Sequence, residues 1–73
     1  MPVPEPQTPP DIRLIERPGG SWRLGFIQGP VERNLGAAAS YLNAVAMQDA
    51  VKAALLLMGI KCILSEKRLP KSV

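Results

Sequence analysis

The sequence predicts a small α+β fold: a β-hairpin, then a helical segment of one long or two short helices, then a third strand, in a ββααβ-like order. Three observations carry this. Two segments of alternating apolar residues flank a Pro-Gly-Gly turn; a long Ala-rich stretch free of internal Pro follows; and a β-branched run lies near the end of the chain. At 73 residues only one small domain fits. The expected division is a Pro-rich disordered arm over 1–10, an α+β core over 11–64 and a flexible basic tail over 65–73.

The hairpin comes first. Asp11 to Arg17 and Ser21 to Ile27 alternate apolar and polar residues, and Pro18-Gly19-Gly20 between them is turn chemistry. A three-residue loop with Pro18 at the first turn position and Gly20 in the left-handed region pairs Glu16 with Trp22, Leu14 with Leu24 and Ile12 with Phe26. That register places Ile12, Leu14, Trp22, Leu24 and Phe26 on one face. A loop one residue longer or shorter sets Leu14 against Arg23 or Gly25 and wastes the apolar face. The opposite face then carries Arg13, Arg17 and Arg23 with Ile15 and Ile27.

Gly29-Pro30-Val31-Glu32 reads as a helix start, with Pro at the first helical position and Glu32 near the positive end of the dipole; Asn34 is a competing N-cap. Gly59 is the expected stop. Within this stretch Leu35, Ala38, Leu42 and Val45 follow helical spacing, while Met47, Val51, Leu55 and Met58 form a stripe nearly opposite on the helical wheel. The phase change favours a break near Ala46 to Asp49, giving two short helices that each face the core. A continuous helix is the alternative, favoured by the lack of Gly or Pro at the break. It would present the second stripe outward as a partner or dimer surface.

Ile60 to Leu64 reads as the third strand, returning to the hairpin, with Cys62 as a small buried hydrophobe. Beyond it, Ser65 to Val73 is polar and basic, with Pro70 interrupting regular structure. In the N-terminal arm, Pro2, Pro4, Pro6, Pro9 and Pro10 favour extended polyproline II. Pro6-Gln7-Thr8-Pro9 has the spacing of a ligand for an aromatic groove but lacks flanking basic residues.

Composition narrows the function. With no His and one Cys, the chain lacks the usual zinc ligands and the imidazole of nucleophilic triads, so no enzyme, metal or cofactor is expected. A lone Cys62 points to a reducing compartment, and the longest apolar run, Ala53 to Ile60, falls far short of the roughly 20 residues a spanning helix needs. A soluble, cytoplasmic protein is expected. Nine Lys/Arg against six Asp/Glu give +3, a mild excess that suits an acidic protein partner, nucleic acid or an anionic surface without choosing among them. Direct nucleic-acid binding is disfavoured, because the bases are dispersed and Trp22, Phe26 and Tyr41 are the only aromatics. The candidate partner-binding residues are therefore Arg13, Arg17 and Arg23 for an acidic segment, and Met47, Val51, Leu55 and Met58 for an apolar one.

From MPVPEPQTPP through DIRLIERPGGSWRLGFIQGP to SEKRLPKSV, the chain resembles the small transcription regulators of lytic Xanthomonas bacteriophages. The likeness lies in sequence and length as a whole and in no motif, so it transfers no residue role. It implies a protein that acts in the cytoplasm of the bacterial host, binds host RNA polymerase at the N-terminal region of the β′ subunit, inhibits initiation by displacing σ, and antiterminates. A nucleic-acid-binding protein using the hairpin arginines and the basic tail, and a homodimeric adaptor built on the helical stripe, are the alternative readings of the residues.

Overall fold

The computed structural model describes residues 8–70. The chain is α+β: among the described residues one helix packs on a mixed four-stranded sheet. The elements are β1 (Asp11–Glu16), β2 (Trp22–Gln28), β3 (Val31–Ala38), α1 (Tyr41–Leu57) and β4 (Ile63–Lys67), and the strand order is β3-β2-β1-β4. β1 runs antiparallel to β2 and parallel to β4, while β2 runs antiparallel to β3.

The hairpin has the expected register: Glu16 opposes Trp22, Leu14 opposes Leu24 and Ile12 opposes Phe26. The Arg17 amide donates to the Ser21 carbonyl at 2.8 Å and closes a three-residue loop in which Gly20 takes φ +84. Burial follows the alternation. Ile12, Leu14, Trp22 and Leu24 are at most 4% exposed and, with Ala44 of α1, make the core; Phe26 packs against them partly buried.

The segment after β2 corrects the sequence reading. Gly29 and Pro30 start no helix; they form the turn to β3, with Gly29 at φ +58, the Gly-first two-residue connection that suits antiparallel neighbours. Pro in the second place fits that turn as well as it fits the first position of a helix, so the dipeptide is ambiguous from sequence. β2 offers an open edge, and Val31–Ala38 pairs with it despite the low strand propensity of its alanines. Asn34 is no N-cap either. Its Oδ1 accepts from the Gly36 amide at 3.1 Å, beside a bulge in which Leu35 is the extra residue between the Leu24–Gly36 and Gly25–Asn34 pairs.

The two expected short helices are one. Half of the first stripe is not helical: Leu35 and Ala38 belong to β3, and α1 begins only at Tyr41 and runs unbroken through Ala46 to Asp49, with Leu42 left exposed and Val45 packed against the core. Ser40 caps it, its Oγ accepting from the Asn43 amide at 3.2 Å. The stop is where Gly59 predicts. The Ile60 amide donates to Leu55 O at 2.8 Å and the Gly59 amide to Leu56 O at 2.9 Å, with Gly59 at φ +78.

The last strand is also displaced, from the expected Ile60–Leu64 to Ile63–Lys67. Ile60 is taken up by the helix cap, and the ladder starts where the Ile63 amide donates to the Pro10 carbonyl at 2.8 Å. Ser65 to Lys67, expected in a flexible tail, are therefore strand residues paired with β1. Gln48 joins the layers. It is buried on α1, and its Nε2 donates to Ile12 O at 2.8 Å and Ser65 O at 3.3 Å, stitching the helix to both members of the parallel pair. The Pro-rich arm lies outside the described residues up to residue 7; Pro10 is buried at the sheet margin.

Candidate functional site

Strand alternation and register define two faces of the sheet. Ile12, Leu14, Trp22 and Leu24 point toward α1, so Arg13, Ile15, Arg23 and Ile27 lie on the opposite face, which no helix covers among the described residues. Across that face Arg23, Ile15 and Lys67 form one row on β2, β1 and β4, and Gly25, Arg13 and Ser65 form the next. A third row, Ile27, Asp11 and Ile63, is apolar and acidic. The face is thus graded, cationic toward the hairpin loop and mixed toward the other end.

The two arginines differ in how they are held. Arg13 is tied locally: its guanidinium meets Asp11 Oδ2 at 2.8 Å, its Nε donates to Ser65 Oγ at 3.3 Å, and the Ser65 hydroxyl donates to Asp11 Oδ1 at 2.6 Å. Arg23 makes no ion pair among the described residues, and its Nε is buried without a hydrogen-bond partner. A carboxylate laid over the Arg23–Ile15–Lys67 row would meet two cationic side chains flanking an apolar one, a combination that suits charge pairing.

Of the residues nominated from sequence, Arg13 and Arg23 come together on this face, and Arg17 stands apart, exposed where the hairpin loop leaves β1. Met47, Val51 and Leu55 do not form an outward stripe; they pack against the core. Only Met58 is exposed, at 71%. The exposed apolar residues of the helix are instead Leu42 at one end and Leu56, Leu57 and Met58 at the other, with Leu57 91% exposed. The inward placement follows from helix phase. Starting at Tyr41, the face carrying Ala44, Gln48, Val51 and Leu55 meets the sheet, and its reverse carries Leu42, Ala46, Ala53 and Leu57. Cys62, half-buried, packs against the core as a hydrophobe. Among the described residues no cluster of His, Cys, Asp and Glu is suited to a metal ion, and no helix is long and apolar enough to cross a membrane.

Sequence reasoning missed Lys67, which reaches the cationic row only through the parallel pairing of β4. It also missed a cluster at the end of the core face where Trp22, Tyr41, Glu66 and Arg68 converge. Sequence carried no signal for either, because Ile63 to Lys67 reads as two apolar residues followed by three polar ones, without the alternation that marks a strand. The chain matches no protein family, no curated protein and no solved structure in comparisons with each.

Proposed function

We propose that this protein is a non-enzymatic phage regulator of host transcription that binds bacterial RNA polymerase at the N-terminal region of β′, inhibits initiation by displacing σ, and antiterminates. The observation that carries the reading is the resemblance of the whole chain to the small transcription regulators of lytic Xanthomonas phages. The surface chemistry supports it: a cationic row on the sheet face opposite α1, with Arg23 lacking an ion-pair partner among the described residues, suits an acidic polypeptide segment better than a small-molecule substrate.

The test is binding to purified core polymerase with and without σ, after nuclease treatment. Stable binding to β′ with release of σ is expected. The double reversal Arg13→Glu and Arg23→Glu is expected to weaken binding by at least about tenfold with the circular-dichroism spectrum retained, as loss of opposed charges at an interface does. No binding to core polymerase, or binding abolished by nuclease with a steep salt dependence, would replace this reading with nucleic-acid recognition.

A further inference from the structure

At the end of the core face where β2 and α1 both begin, an organic cation sits on two aromatic rings. Trp22 and Tyr41 pack with centroids 5.0 Å apart and planes inclined at 54°. The Arg68 guanidinium carbon lies 5.5 Å from the Trp22 centroid and 5.1 Å from that of Tyr41. Glu66 completes the enclosure: one carboxylate oxygen accepts from the Tyr41 hydroxyl, the other from Arg68 Nε at 2.9 Å. Just beyond, Glu16 accepts from the Leu69 amide at 2.8 Å.

The parts of this enclosure are held very unequally. Trp22 is 4% exposed in β2, Tyr41 opens α1 directly after its N-cap, and Glu66 is paired within β4. The walls therefore stand on three regular elements. Arg68 lies past the end of β4, its side chain 59% exposed, held by one surface ion pair and the two ring contacts. Aromatic faces with a carboxylate form the arrangement that selects organic cations from water, and a planar guanidinium both stacks on the rings and pairs with the carboxylate. The preformed element is the receptor, and the occupant is the loosely held part.

We propose that the Trp22–Tyr41–Glu66 recess is an arginine-receiving site, in which Arg68 is an intramolecular occupant that an arginine side chain of a protein partner displaces, releasing the C-terminal strap. The site is distinct from the cationic sheet face, whose arginines seek acids, and its test uses the protein alone, so its failure leaves the polymerase reading untouched.

Trp22 is the single tryptophan, so its fluorescence reports the recess directly. The probes are an acetylated, amidated Gly-Arg-Gly peptide and its Gly-Gln-Gly counterpart. The Arg68→Ala variant is expected to bind the arginine peptide saturably and about tenfold more tightly than the unaltered protein, as removal of a competing internal cation requires. Adding Glu66→Gln is expected to reverse most of that gain. Absence of saturable binding by Arg68→Ala, equal response to the glutamine peptide, or indifference to Glu66→Gln overturns the proposal. Should Arg68→Ala lose its native circular dichroism, the decision passes to the unaltered protein by NMR. There, excess arginine peptide must move the Arg68 Nε–H resonance toward its free-arginine position, and a stationary resonance overturns the proposal equally.

Discussion

Strand β2 has two antiparallel neighbours, and they are held in different ways. Its pairing with β1 sets buried Leu14 against buried Leu24, and Glu16 against Trp22. Its pairing with β3 has a ladder of similar length, yet β3 is exposed at all but two of its eight positions, with Val31 at 44% and Leu35 at 41%. Backbone hydrogen bonds are nearly equivalent on the two sides, and their net worth is modest because water competes for the same groups. The difference lies in side-chain burial. β1–β2 is the part of the sheet fastened by the core, whereas β3 is an edge strand kept by its ladder, by partly buried Ala38 at its end and by the approach of Met47 to Gly36.

The comparison is broken most severely at its strong side. Leu14→Ala, at a site 1% exposed, is expected to cost about 2–5 kcal/mol, enough to unfold a domain this small, and chemical denaturation would measure it. On the weak side the largest effect is expected at Gly36, where φ is +153 and an added Cβ would come within 3.1 Å of Met47 Cε. Gly36→Ala is expected to cost about 1–2 kcal/mol, and amide exchange in β3 should accelerate more than in β1. Leu35→Ala, on the exposed bulge residue, is expected to stay within about 0.5 kcal/mol; a larger loss would mean that Leu35 itself is held by packing.

The smallest effect concerns the strap that closes the far end of the core. Hydrogen bonding from Tyr41, and then from Arg68, holds the Glu66 carboxyl below its ordinary value, while the bond to Glu66 raises the Tyr41 phenol. A carboxyl with a depressed folded value contributes its stabilisation in full above the unfolded value and loses it as pH falls through the folded one. A phenol with a raised value contributes below its unfolded value and loses that contribution as pH rises through the folded one. The Arg68 Nε–H resonance is therefore expected to stay in its bound position near neutrality and to shift in acid as Glu66 is protonated, before the β1–β2 amides lose protection. A resonance unchanged down to the pH of global unfolding would show that the carboxylate does not hold the strap.

What the residues specified alone is the local part of this molecule. The Pro18-Gly19-Gly20 loop and the period-two alternation around it suffice for the β1–β2 register, the core face of Ile12, Leu14, Trp22 and Leu24, and the placement of Arg13 and Arg23 on the reverse, because a short loop leaves only one alignment that buries the apolar set. Gly59 likewise announces the end of α1, since its left-handed backbone completes a cap within a few residues. The tertiary structure decided whatever depends on a partner distant in the chain. Val31–Ala38 is a strand because β2 had an open edge to fill, and once it left the helix, Met47, Val51 and Leu55 turned inward. Gln48 is buried because two carbonyls from strands 36 and 17 residues away converge on its amide, which no local pattern foretells. Lys67 joins Arg23, and Arg68 meets Trp22 and Tyr41, only through the parallel register of β4 on β1. A short turn carries its own geometric answer, whereas an alanine-rich or polar segment has too little side-chain burial to choose its conformation, so the neighbour it finds makes the choice.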